Sequence, residues 1–152
     1  MAIQSTQFAG LVSAPRVKIR PQDAGNSEKV FVFQTPTTYA AQAINEIFDM
    51  GVIPAGTRIL PTGSLECAAG AASSTLNIGL RSLATGTVVS ATQIASAVNI
   101  AAAGQKAINN GAGFAGSGYV TPEDMVVYGT FTGATNSANQ QITVYLPVVT
   151  LD

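Results

Sequence analysis

Histidine is absent from all 152 residues of this chain. With it goes the side chain most used for proton transfer near neutral pH, which is also the commonest metal ligand. A Ser-His-Asp or Cys-His nucleophile is therefore excluded. Cysteine occurs once, at Cys67, so no intrachain disulfide forms, and a structural zinc would have to draw on one thiol and scattered carboxylates. The apolar surroundings of Cys67 in "LECAAG" mark it as small core filler. Tryptophan is missing too, and most of the four tyrosines and six phenylalanines lie in strand-like runs, which leaves little exposed aromatic surface for a sugar groove.

Charge is also scarce. Charged residues make up 10% of the chain, against about a quarter in an ordinary soluble domain. The net charge of −1 provides no field to hold a polyanion, so nucleic acid is not an expected partner. Hydrophobic residues reach 47%, yet no continuous apolar run approaches the ~20 residues that cross a bilayer, and no membrane partner is expected. A surface with so few charges suits a chain that other proteins largely cover, which points to assembly. The residues after Met1, "AIQSTQFAG", lack the basic region and apolar segment of a secretory signal, so synthesis in a reducing cytoplasm is expected.

What is present is strand and turn grammar. From Lys29 onward, "KVFVF", "TRIL" and "TLNIGL" alternate, while "MVVYGTF" and "QITVYLPVV" are rich in β-branched and aromatic residues. Turns are marked by "PAG" at 54–56, "PTG" at 61–63, "ATG" at 84–86 and "TGATNSANQ" at 132–140. Many strands with few crossover helices predict an all-β fold, an antiparallel β-sandwich with at most one or two short helices.

Two segments carry helical spacing. In "SATQIASAVNIAAAG", Ser90 and Gln93 occupy capping-box positions, Ile94, Ala95, Val98 and Ala102 fall on one face, and Gly104 ends the run, which predicts a short helix. In "TYAAQAINEIFDMG", Tyr39, Ala43, Ile44, Ile47 and Phe48 also fit a helix, whereas a strand would put Ile44, Phe48 and Met50 together with Glu46 intruding.

Residues 1–28 are poor in large apolar side chains and end in the turn-like "PQDAGNSE", so they read as an extended arm ahead of a sandwich domain at 29–152. Within the arm, "RVKIR" as an extended strand places Arg16, Lys18 and Arg20 on one side and Val17 and Ile19 on the other. These five residues are the candidate partner-binding segment, with a solvated edge strand as the other reading.

The candidates for chemistry are few. "INNGAGFAGSG" contains G-x-G-x-x-G at Gly111, Gly113 and Gly116, but no buried strand precedes it and "YVTPEDMVVYGTF" follows it where a helix should open. The expected reading is a mobile surface loop that binds no nucleotide. Glu123 and Asp124 in "TPED" fit a turn or a first helical turn, Glu46 and Asp49 meet only on a helix, and Glu66 has no acidic neighbour. "TGATNSANQ" offers amides and hydroxyls but no carboxylate for calcium. No catalytic residue, cofactor, metal or small-molecule substrate is expected, and the chain reads as no enzyme.

The stretch "DMGVIPAGTRILPTGSLECAAGAASSTLNIGLRS", Asp49 to Ser82, resembles small virion proteins of tailed bacteriophages, especially capsid decoration or cement proteins. The pieces that carry the likeness are Ile53 to Arg58, Ser74 to Leu80, Asp124 to Ala134 and Gln140 to Val149, within roughly residues 29–152. The resemblance implies a jelly-roll-like sandwich that forms homotrimers on the virion's capsid surface, is made in the host cytoplasm, and clamps neighbouring major capsid proteins. It also implies a strand before "PAG", against the helical spacing of residues 38–50, and the strand is preferred because strands covered on both faces need not alternate. Other virion components, such as a head-fibre base or a tail protein, share this grammar, and a carbohydrate-binding sandwich is the reading from a different class.

Overall fold

A computed structural model describes residues 28–114 and 118–150. Ten strands follow in chain order: β1 (Lys29–Gln34), β2 (Ile47–Ile53), β3 (Thr57–Ile59), β4 (Ser64–Cys67), β5 (Thr75–Ser82), β6 (Val88–Asn99), β7 (Gly104–Ala107), β8 (Tyr119–Val120), β9 (Met125–Thr132) and β10 (Ile142–Thr150). Among the described residues a single 3₁₀ turn, Ala112–Phe114, lies between β7 and β8. The strands form two antiparallel sheets, as the sequence grammar predicts. The arm expected over residues 1–28 lies, apart from Glu28, outside the described residues, and with it Arg16, Val17, Lys18, Ile19 and Arg20.

β10 organises the first sheet. Along one side it pairs with β1, from Lys29↔Val148 to Gln34↔Thr143. Along the other it pairs with β4 over Ile142 to Tyr145, then with β3 over Val148 to Thr150. β7 flanks β4, and β8 flanks β3. Pro147 falls between the residues that pair with β4 and those that pair with β3, where its missing N–H costs no ladder bond, and its carbonyl still accepts from Leu60 N–H at 2.9 Å. That placement reconciles a proline with a central strand.

The second sheet runs β2-β9-β5-β6. The two sheets meet face to face over one core. From β10 it takes Ile142, Val144, Leu146 and Val148, and from β5 Leu76, Ile78 and Leu80. Ile94, Ala95 and Val98 come from β6, and Met125, Val127 and Phe131 from β9. Each fully buried aliphatic or aromatic side chain contributes roughly 1.5–3 kcal/mol relative to exposure, so the inward rows of β5, β9 and β10 are the main source of stability.

The helix expected over residues 90–104 is instead the strand β6, followed by β7 from Gly104. The cause is a bulged register: while β5 advances from Leu76 to Leu80, β6 passes from Val98 to Ser90, with breaks in the pairing on both sides of Ile78. The extra residues shift the inward side of β6 partway along, so Ile94, Ala95 and Val98 are all buried. This spacing imitates a helical face. The backbone groups released by the bulge find side-chain partners. Ala97 N–H donates to Asn77 Oδ1 at 2.7 Å, Ser96 N–H donates to Asn110 Oδ1 at 2.9 Å, and Asn110 Nδ2 donates to Ser96 O at 2.8 Å.

Residues 38–50 are not helical either. Residues 35–46 run without regular structure and β2 begins at Ile47, so the strand implied by the resemblance is present from Ile47 to Ile53.

Candidate interaction surfaces

The irregular segment 35–46 is held by the loop between β9 and β10. Tyr39 N–H donates to Asn139 Oδ1 at 2.7 Å, and Asn139 N–H donates back to Tyr39 O at 3.1 Å. Gln42 N–H donates to Asn136 Oδ1 at 2.6 Å, and Asn136 N–H donates to Gln42 O at 3.1 Å. Asn136 is 2% exposed, and its Nδ2 donates to Tyr39 Oη at 3.1 Å, whose hydroxyl donates in turn to Gln140 O at 2.5 Å. Burial pushes the Tyr39 phenol up from its ordinary 10.0, opposed by the hydrogen bonds of Asn136 and Thr35. The amide-rich "TGATNSANQ" is therefore a structural clamp, in which asparagine side chains replace the ladder bonds that segment 35–46 lacks.

Beside this clamp lies a depression of about 170 Å³, lined by Thr35, Pro36, Tyr39, Gln42, Ile47, Phe48 and Phe131. Its lining is mostly apolar, and Ile47, which forms part of it, is exposed. No carboxylate, amine or thiol lines it, and Tyr39 is its one ionisable group.

The glycine motif resolves into packing. Gly111 and Gly113 lie against β6 where it bulges. A Cβ on Gly111 would clash with the backbone of Gln93 and Ile94, and one on Gly113 would come within 2.6 Å of Gln93 Nε2 and 2.9 Å of Gln93 O. Asn110 ties the same segment to Ser96, and Ile108 is fully buried. Up to Phe114 the segment is a strap across β6, which corrects the expectation of a mobile surface loop: the glycines permit close approach rather than slack. Gly116 lies outside the described residues. Among the described residues the segment opens no α-helix whose N-terminal amides would meet a pyrophosphate.

Two of the carboxylates carry separate structural tasks. Asp124 Oδ1 accepts from Ala55 N–H at 2.9 Å, which fastens the β2–β3 turn to the start of β9, in agreement with the turn reading of "TPED". Asp49 lies on β2 and binds Arg81 Nη2 of β5 at 2.7 Å. The Arg81 guanidinium also lies 5.7 Å from the centroid of the Tyr128 ring. Burial pushes the Tyr128 phenol up, and the nearby Arg81 charge opposes that shift. With both partners partly solvated the ion pair is worth about 0–1 kcal/mol, so it orders this outer face more than it stabilises the fold. Cys67 is buried, with its Sγ 3.4 Å from Ala102 O, and burial raises its thiol above the ordinary value. Among the described residues no three His, Cys, Asp or Glu side chains come together as a possible metal site.

The exposed surface is unusually apolar where the sheets face outward. Val30 and Val32 of β1 are 53% and 52% exposed. They pair with Pro147 and Tyr145 on the outer face of the first sheet. Ile47 and Val52 of β2 and Val88 of β6 are exposed on the second sheet, and Leu83 and Val89 near the β5–β6 hairpin tip are exposed as well. The signal for part of this was in "KVFVF": alternation places both phenylalanines on one face, so the valines must take the other, leaving an apolar row toward solvent.

No protein-family model matches the chain, and no curated protein matches it. Its fold does match solved structures. A chain from the capsid of Ralstonia phage GP4 superposes with a TM-score of 0.66 at 17% identity, over 91% of this chain and 93% of that one. A chain from the cyanophage Pam1 capsid asymmetric unit superposes with a TM-score of 0.58 at 17% identity, over 91% of this chain and 96% of that one. At such low identity the likeness is one of fold: nearly the whole chain adopts the architecture of chains found in two phage capsids.

Proposed function

We propose that this chain is a structural, non-enzymatic component of a tailed-phage virion. It binds the outside of the capsid shell, contacts the major capsid protein and stabilises the joints between its copies. The observation that supports this most is the fold match to phage capsid chains, which leaves out less than a tenth of either partner. The outward valines and isoleucines and the sparse charge favour the same reading, because a protein that works by burying surface at joints needs weakly charged, apolar faces and no reactive group. Its mechanism is linkage: whatever binds the assembled lattice and not its separated subunits shifts the equilibrium toward the assembled state. Many modest contacts suffice on a repeating lattice.

In this reading the protein is made in the host cytoplasm, assembles as a homotrimer and ends on the capsid surface, with no cofactor, nucleic acid, membrane or small-molecule partner. The arm contributes Arg16, Lys18 and Arg20 as a basic row toward acidic side chains of the shell, with Val17 and Ile19 on its other face. The test is re-addition of purified protein to shells assembled without it. Saturation at hundreds of copies per particle, with a rise in the temperature of shell disruption, is expected. Saturation at tens of copies or fewer would assign the protein to a vertex or the tail, and no binding would overturn the proposal.

A further inference from the structure

The strap across β6 contains the dipeptide Asn110-Gly111, and no other asparagine of the chain is followed by glycine. Such a pair is the one most prone to deamidation, because the amide nitrogen after the asparagine attacks the side-chain carbon and glycine puts no side chain in its way. Here the glycine is required by packing, since a Cβ at Gly111 would clash with the backbone of Gln93 and Ile94. The demand for close approach has therefore placed the labile pair at the surface, where Asn110 is exposed. The structure also shows what opposes the reaction. Ring closure requires the Asn110 carboxamide to fold back on its own main chain. Both of its polar atoms are instead engaged by another strand: Nδ2 donates to Ser96 O at 2.8 Å, and Oδ1 accepts from Ser96 N–H at 2.9 Å. The main chain on either side is anchored as well. Ile108 is fully buried and its N–H donates to Gly63 O at 3.1 Å, while Phe114 N–H donates to Gly111 O at 3.2 Å.

We propose that Asn110 is a site of spontaneous deamidation gated by this strap: closed on β6 it is protected, and each opening exposes it to reaction. The two bonds to Ser96 lie at the surface, so water competes for them and the strap opens without unfolding of the sheets beneath it. In the open strap hydroxide removes the Gly111 amide proton, and the nitrogen attacks Asn110 Cγ. The new N–Cγ bond closes a five-membered succinimide, the Cγ–Nδ2 bond breaks, and Nδ2 leaves as ammonia after taking a proton from water. Water then adds to one of the ring carbonyls and breaks its bond to the Gly111 nitrogen, which regains a proton. Cleavage at Cγ gives aspartate, and cleavage at the main-chain carbonyl gives isoaspartate, whose backbone path is one carbon longer. Neither product restores the pair with Ser96, because the donor to Ser96 O is lost and a carboxylate oxygen would face that carbonyl. The reaction turns a transient opening into a lasting one, and it adds a negative charge to a chain whose net charge is −1.

Peptide mapping by mass spectrometry, with isoaspartate detection, on the full-length protein incubated folded and in urea tests this. The folded wild type is expected to convert at Asn110 roughly 100-fold or more slowly than the unfolded chain. Ile108→Val loosens the anchor of the strap and keeps the fold, so it should speed conversion of the folded protein about 2- to 10-fold. Ile53→Val, equally buried but on β2 at the opposite edge of the second sheet from β6, should leave the rate unchanged. Asn110→Asp, which reproduces one product, should speed amide exchange at Ile108 on the order of 10-fold while β5 and β9 keep their protection. A folded rate equal to that in urea, or no conversion of the folded protein at all, would overturn the proposal. So would equal acceleration by Ile108→Val and Ile53→Val, which means that global unfolding is the gate, or unaltered exchange at Ile108 in Asn110→Asp.

Discussion

Replacement of Asn136 by alanine tests whether an irregular segment is held by a few side chains of the β9–β10 loop. The substitution removes the acceptor of Gln42 N–H at 2.6 Å and the donor to Tyr39 Oη at 3.1 Å, at a residue only 2% exposed. Two ordinary hydrogen bonds contribute about 1 kcal/mol each, and a partly buried Gln42 amide left without an acceptor adds about 1 kcal/mol or more. The expected loss is therefore about 2–4 kcal/mol, or a fall in Tm of roughly 5–15 °C for a chain of this size. Asn139→Gly is the internal control, because Asn139 has φ 58°, in the left-handed region that glycine adopts without the strain alanine would add. Its Oδ1 accepts from Tyr39 N–H at 2.7 Å in an exposed setting where water can substitute, so it should cost under about 1 kcal/mol. Calorimetry of both variants, with amide exchange read at Gln42, measures the difference directly. An Asn136→Ala protein that melts within about 2 °C of wild type would refute the clamp, and an Asn139→Gly protein equally damaged would refute the assignment of the larger share to the buried asparagine.

Gly111→Ala should destabilise more than Gly113→Ala, because Gly111 faces β6 backbone while Gly113 mainly meets the tip of Gln93, and neither variant nor wild type should bind NAD or ATP in titration calorimetry. The phenols of Tyr39 and Tyr128 are raised above 10.0 by burial, so the unfolded chain gives up these protons first. Their contribution to stability is full below about pH 10 and is lost as pH rises through the higher folded values; urea midpoints should fall above about pH 10, less steeply in Tyr39→Phe. Charge reversal of Arg16, Lys18 and Arg20 together should weaken attachment to the shell more at low salt than at high salt, because exposed pairs are screened over about 10 Å at 0.1 M, and equal loss at both would remove the electrostatic part of the account.

The two-sheet architecture was legible because "TLNIGL", "MVVYGTF" and "QITVYLPVV" carry strand composition strong enough to outweigh local ambiguity. β6 was not, since its bulges bury Ile94, Ala95 and Val98 together, and a hydrophobic pattern cannot separate a bulged strand from a helical face. The bonds that stabilise it come from Asn77, twenty positions before its partner Ala97, and from Asn110, fourteen after its partner Ser96, where no short window looks. Segment 35–46 failed for a related reason: its partners, Asn136 and Asn139, lie about a hundred positions away. The glycines of "INNGAGF" signalled a need for close approach, but the identity of the approaching strand is tertiary information. Of the interaction surface, the outward valines of β1 follow from alternation alone, whereas Val52, Val88 and Val89 became apparent only once register assigned their faces.

A cryo-EM reconstruction of the native particle that carries this chain tests the central claim most directly. The account predicts density matching the two-sheet body on the outer surface of the shell, repeated with the lattice and seated across joints between major capsid proteins, with its apolar sheet faces turned toward neighbours. Density inside the shell, confined to the tail or a single vertex, or forming the continuous shell wall itself would contradict it.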